Sequence, residues 1–170
     1  MSDSVRLKIG MVDVDLLNNG TRHPNLAQMK MSAYCKKQGH DVKLLYNPED
    51  LSHLSKYDFI LVSKVFNFTP IPNELKELIE KNTSELDPLE TRYRSVNKPS
   101  IMETLGYYSD VLKKRPESTR ILIGGTGFFE DGGRNLDDEI ELGMPDYELY
   151  REYVDSKIES GRESSYYSDY

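Results

Sequence analysis

Four apolar runs, spaced along the chain with helix-like segments between them, constrain the fold more than any other feature. They are "LKIGMVDVD" (Leu7–Asp15), "DVKLLY" (Asp41–Tyr46), "YDFILVSKVF" (Tyr57–Phe66) and "RILIGG" (Arg120–Gly125). Near-continuous apolar runs of this length, the first with acids at its end, are the pattern of parallel strands buried on both faces. Between the first two, "PNLAQMKMSAYCKKQG" sets Leu26, Met29, Ala33 and Tyr34 at helical spacing, with Lys30, Lys36 and Lys37 off that stripe and Gly39 as a stop. "NPEDLSHLSK" predicts a turn of helix, with Asn47 and Pro48 suited to the cap and first position. "PNELKELIEKN" predicts a second helix with Leu75, Leu78 and Ile79 on one side. Strands alternating with helices imply right-handed crossovers. The expected fold is α/β: a Rossmann-like or flavodoxin-like parallel sheet in the order 2-1-3-4, helices on both faces.

Two regions break the rhythm. Residues 83–118 are too long for one connection and read as an insertion, within which "SIMETLGYYSDVLKKR" has helical character. "YELYREYVDSKIESG" predicts a short helix, and "RESSYYSDY" carries no packing pattern. The expected organisation is one domain over 1–150, with 151–170 as a tail or linker. At 37% hydrophobic residues, the chain stands well above the level at which chains stay disordered.

Charge and cysteine content narrow the function classes. Between Glu130 and Glu148 eight acids face Arg134 alone, which accounts for the whole net charge of -7 and leaves the remainder neutral. No stretch gathers enough Lys and Arg to track a phosphate backbone, so nucleic acid is not an expected partner. Cys35 is the only cysteine, so no internal disulfide forms and no zinc or iron-sulfur site can be built from cysteine. The N-terminus lacks the apolar core of a signal peptide, and nowhere do about 18 apolar residues run together, so no membrane is expected and the expected compartment is cytoplasmic.

The stretch "RILIGGTGFFEDGG" stacks Gly124, Gly125 and Gly127 directly behind the fourth run. Dinucleotide fingerprints need their glycines after the first strand, and no Gly-Lys-Ser or Gly-Lys-Thr follows to make a phosphate loop, so neither fingerprint is present. A glycine turn ending a strand is one reading. The other uses position, since open α/β sheets bind ligands beyond the carboxyl ends of their strands. On that edge the topology collects Asp13, Asp15 and Asn18 from the first loop, Ser63, Lys64, Asn67 and Thr69 from the third, and Gly124, Gly125, Thr126 and Gly127 from the fourth. Solvated strand-end polar groups are the competing explanation.

"DVD" at Asp13–Asp15 also matches the nucleophile and general-acid spacing of haloacid-dehalogenase-like magnesium phosphatases, with Ser63, Lys98, Asp137 and Asp138 as the remaining parts. Leu16 and Leu17 stand where that family has Gly-Thr or Thr-x, and no apolar run precedes the acidic pair. A response-regulator receiver fails, because the third run ends in Ser63 and Lys64 instead of a phosphoacceptor Asp. His23, His40 and His53 are scattered and read as solvent-facing or capping; Cys35 reads as a small core residue.

Taken in order, "KIGMVDVD", "HPNLAQMKMSAYCKKQGHDVKLL", "YDFILVSKVFNFTP", "ILIGGTGF" and "MPDYELY" resemble the leading, cobalamin-binding-like domain of radical S-adenosylmethionine iron-sulfur oxidoreductases. The resemblance implies that Gly124 and Gly125 let the nucleotide tail of a cofactor approach the sheet. It also implies a catalytic barrel, in the same or a companion chain, as partner. The cobalt-ligating Asp-x-His-x-x-Gly is missing from "DVDLLNNGTRHP", so cobalamin would bind without a histidine ligand. The Cys-x-x-x-Cys-x-x-Cys motif is missing too, so a [4Fe-4S] cluster and S-adenosylmethionine belong to a longer parent protein, and this chain alone is not expected to be an enzyme. A non-catalytic interaction domain, docking through the acidic stretch and the tyrosine-rich end, is the remaining reading.

Overall fold

The computed structural model describes residues 5–17, 24–64, 70–82, 100–124 and 136–159. Strands β1 (Lys8–Asp13), β2 (Asp41–Leu44), β3 (Phe59–Ser63) and β4 (Arg120–Gly124) form one all-parallel sheet in the order β2-β1-β3-β4. This is the Rossmann-like order expected from the alternation of apolar runs. The central strands β1 and β3 are buried almost end to end, as parallel strands covered on both faces must be.

Two apolar layers cover the sheet. On one face Ile9, Met11, Phe59 and Leu61 meet Met29, Met31 and Cys35 of α2 (Leu26–Lys37). On the other, Val12, Ile60 and Val62 meet Leu54 from a 3-10 turn (Leu54–Lys56) and Leu75 and Ile79 of α4 (Asn73–Asn82). Two short helices complete the early connections, α1 (Val14–Leu17) directly behind β1 and α3 (Pro48–Leu51) capped by the Asn47 side chain. The helical character of "SIMETLGYYSDVLKKR" appears as α5 (Ile101–Gly106), capped by Ser100, running into a π turn (Tyr107–Val111). Ile101 and Leu105 join the α2 layer, and the Tyr108 ring stands edge-on to Phe59 at 5.5 Å.

The chain packs beyond residue 150. α6 (Asp138–Glu141) lies along α2, and α7 (Arg151–Glu159) buries Tyr153 and Val154 in the α2 layer, with Tyr153 edge-on to Tyr46 at 5.4 Å. Part of the expected tail is therefore core.

Several local expectations change. β1 stops at Asp13 and turns at once into α1, so Asp15 sits on a helix and not on the strand. The buried residues of α2 are Gln28, Met29, Met31, Ser32 and Cys35, while Leu26 is 53% exposed. The hydrophobic stripe misplaced that face because Gln28 and Ser32 are polar yet find partners inside. His40 is buried, not solvent-facing: its Nδ1 accepts the Leu7 N–H at 3.1 Å, and burial pushes its pKa down against the pull of Asp110, Asp41 and Asp58. Among the described residues no helix is long and apolar enough to cross a membrane.

Gly39 ends α2 at φ +91°, a backbone that side chains rarely tolerate. Gly10 answers a different demand. A Cβ there would stand 2.6 Å from Leu45 Cδ1 and 3.0 Å from Ile60 Cδ1. Gly10→Val overpacks this site and lowers stability by about 1–3 kcal/mol, seen as a fall in the urea midpoint at unchanged slope. A midpoint equal to the parent's would mean that Leu45 and Ile60 move aside at no cost.

Candidate functional site: the carboxyl rim of the sheet

Parallel pairing sets Asp13, Ser63 and Gly124 side by side, in register, as the last residues of β1, β3 and β4. Of the residues expected on that edge, Asp13, Ser63 and Gly124 stand at the strand ends, with Lys64 directly after Ser63 and Asp15 in the helix that follows β1. Asp13, Asp15, Ser63 and Lys64 are each less than 8% exposed, which removes solvation as the explanation for them. Gly125, Thr126, Gly127, Asn18, Asn67 and Thr69 lie outside the described residues, as do His23 and Lys98.

A continuous hydrogen-bond chain closes the rim. Asn25 caps α2, its Oδ1 accepting the Gln28 N–H at 3.1 Å, and its Nδ2 donates to Ser63 Oγ at 2.7 Å. The Asn25 backbone N–H donates to Tyr150 Oη at 3.0 Å, and that hydroxyl donates to Asp13 Oδ2 at 2.8 Å. The other carboxyl oxygen of Asp13 accepts the Leu16 N–H at 3.3 Å, capping α1. Below the chain, Gln28 Nε2 donates to the carbonyls of Val12 (2.8 Å) and Leu61 (3.1 Å), tying the central strands together, while its Oε1 is buried without a partner among the described residues. Lys64 N–H donates to the Gly124 carbonyl at 3.1 Å.

The electrostatics centre on Asp13. Burial pushes its pKa up to about 6, the charge on Asp15 adds to the rise, and the bonds from Tyr150 and Leu16 oppose it. The result is a carboxyl that changes charge close to neutral pH and has both oxygens engaged. Ser63 Oγ serves as an acceptor from Asn25. At Gly124 a Cβ would meet nothing within 4 Å, so neither backbone conformation nor packing among the described residues demands a glycine there.

Asp137 and Asp138 do not join the rim. Asp138 begins α6, which runs along the flank of α2 around a cleft of about 240 Å³ bordered by Lys30, Tyr34, Lys37 and Glu139. Among the described residues no three His, Cys, Asp or Glu side chains come together as a metal cluster. Tyr150, Asn25 and Gln28 were missed by sequence reasoning. Asn25 had a signal, as a capping residue directly before a helical stripe; Tyr150 reaches Asp13 across 137 positions and had none. Comparison with family models, with curated proteins and with solved structures finds no match to this chain.

Asp13 contributes to the pH dependence of stability. Its folded pKa lies above the unfolded value of 3.8, so its contribution is fully present below about pH 4 and is lost as pH rises through about 6. The loss amounts to about 3 kcal/mol. Asp13→Asn removes that loss, so from pH 4 to pH 8 the variant gains on the parent by up to this amount in urea unfolding; His40, whose contribution has the opposite sign, cancels in the comparison. Parallel pH curves for the two proteins would refute the assignment. Tyr150→Phe deletes a bond that favours the carboxylate, so it raises the Asp13 pKa further, as read from the titration of the Asp13 carboxyl carbon by NMR.

Proposed function

We propose that this chain is a Rossmann-like binding module that takes a cobalamin-like or nucleotide ligand at the carboxyl rim of its sheet, and that it serves as the leading module of a radical S-adenosylmethionine iron-sulfur protein. In that role it covers a catalytic barrel carried by the same or a companion chain. The observation that supports a binding role best is the row Asp13–Ser63–Gly124, where two buried polar groups stand beside a glycine that the described structure does not itself require. Ligands of open α/β sheets lie in this place.

Fit to the implied groups divides. The open space beside Gly124 suits the tail of a nucleotide or cobalamin. Of the described histidines, His40 lies beside Leu7 at the opposite end of the sheet and His53 is exposed on the surface, so neither would reach cobalt, and the corrin would be held without a protein histidine. A [4Fe-4S] cluster does not fit: Cys35 is the only cysteine and is fully buried in the α2 layer. The chemistry of the radical reaction would therefore come from the partner barrel, while the residues of this chain bind and orient through Ser63, Asn25 and Asp13.

The Asp13 geometry weighs against the phosphatase alternative. A nucleophilic carboxylate needs a free oxygen, whereas both oxygens of Asp13 accept hydrogen bonds, one from Tyr150 and one from the Leu16 N–H. Titration of the protein with hydroxocobalamin and with adenine nucleotides, followed by visible absorption and by calorimetry, tests the reading. The parent is expected to bind one of them, and Gly124→Val to bind about tenfold or more weakly with little change in melting temperature. No binding of either class by the parent would overturn the ligand assignment.

A further inference from the structure

The two edges of the sheet are built differently. β2 is guarded by charge: Asp41 pairs with Arg6, and Lys43 pairs with Asp50 at 3.4 Å. Charged side chains on an edge strand discourage pairing with another chain. β4 carries a charge only at its first residue, Arg120. From Ile121 to Gly124 it carries no charge and no proline, and Ile121, Leu122 and Ile123 are only half-buried although they pack into the cores of both faces.

Its backbone is open on the outer side. Arg120 N–H donates to the Asp58 carbonyl at 3.0 Å, and the Gly124 carbonyl accepts from Lys64 at 3.1 Å. In a parallel ladder alternate residues turn both polar groups to the same neighbour. Arg120, Leu122 and Gly124 therefore face β3, and the N–H and C=O of Ile121 and Ile123 face outward, where among the described residues the sheet has ended.

We infer that β4 pairs edge to edge with β4 of a second copy, antiparallel, about a two-fold axis through Leu122, joining the two sheets into one. This register sets Arg120 against Gly124 of the second copy, Ile121 against Ile123, and Leu122 against Leu122. Each Ile121 then exchanges both backbone hydrogen bonds with Ile123 of the other copy, so every outward group of the strand is satisfied. The two Arg120 cations lie at opposite ends of the ribbon, and each meets a residue without a side chain. In this register the strand is complementary to itself, with Arg120 set against Gly124 at both ends of the ribbon, which is what a two-fold contact requires. A five-residue edge alone buries too little for a stable dimer. Further apolar surface stands beside it: Tyr107 and Val111 are exposed on the π turn, and Leu112 directly after it, and the Tyr108 ring of that turn carries the Arg120 guanidinium 5.6 Å above its centre.

Sedimentation velocity across a concentration series is expected to show a reversible monomer–dimer equilibrium. Ile121→Pro removes an outward N–H that has no partner among the described residues, so it should weaken the dimer by about tenfold or more while leaving the circular dichroism spectrum unchanged. A second variant does not depend on that substitution folding. Leu122→Cys places two thiols across the axis at about 4.5 Å between α-carbons, within disulfide reach, so mild oxidation should give a cross-linked dimer. Ile121→Cys, which faces Ile123 instead, should cross-link far less. Cys35 is buried and does not compete. A monomer at all concentrations, a folded Ile121→Pro that dimerises like the parent, or equal cross-linking at 121 and 122 would each overturn the inference.

Discussion

Burial of β1 on both faces is the constraint on which the rest depends. A strand in that position can satisfy its backbone only with a neighbour on each side, and β2 and β3 supply them, both parallel. Its side chains alternate between layers, Ile9 and Met11 to one and Val12 to the other, which obliges helices to cover both sides. Gly10 is the price of close packing at its centre, where Leu45 and Ile60 occupy the space that a side chain would take. Once β1 is fixed, the position of Asp13 follows, because it is the residue at which the strand leaves the sheet.

Leaving a carboxyl at that point is costly, and the fold answers with hydrogen bonds drawn from distant parts of the chain. Tyr150 brings its hydroxyl from the C-terminal segment, which is held down independently. The Asp146 N–H donates to the Met29 carbonyl, and its carboxylate takes Ser32 at 2.8 Å and Lys36 at 2.6 Å. Burial works against the Asp146 charge, but the bonds to Lys36 and Ser32 outweigh it and keep the pKa below the usual carboxylate range. Asp13 has no cation among the causes of its shift, only neutral donors and the Asp15 charge, and its pKa rises. The two carboxyls are thus shifted in opposite directions: Asp13 is buried beside another acid with only neutral donors, while Asp146 has the Lys36 cation and the Ser32 hydroxyl.

Architecture was legible in the sequence where it rests on apolar runs. The four strands, their parallel order and the meeting of Asp13, Ser63 and Gly124 at one rim all follow from alternation and topology. What could not be read was the polar interior. Gln28 and Ser32 look like surface residues by periodicity, yet each is buried because a specific partner waits for it: strand carbonyls for Gln28, Asp146 for Ser32. The same holds for His40, whose burial depends on the Leu7 N–H, and for the Tyr150–Asp13 bond. Hydrophobic periodicity reports which residues avoid water; it carries nothing about polar groups that leave water for one partner far along the chain.

Gly124 stands where the rim and the open edge of the sheet meet, and its backbone decides how each can be used. The alternation that aims its carbonyl at Lys64 also turns its N–H towards β3, so a ligand above the rim cannot draw on that amide as a donor. What the glycine offers a ligand is contact area, with hydrogen bonding left to Ser63 and its neighbours. A second copy approaching β4 from the side uses the outward groups of Ile121 and Ile123 and needs at Gly124 only room for the opposing Arg120. The two approaches run at right angles, one along the strand axis and one across it. Occupancy of the rim and pairing of the edges are therefore compatible, and a dimer joined through β4 would carry its two rims at opposite ends of the shared sheet, because antiparallel pairing reverses the direction of the strands.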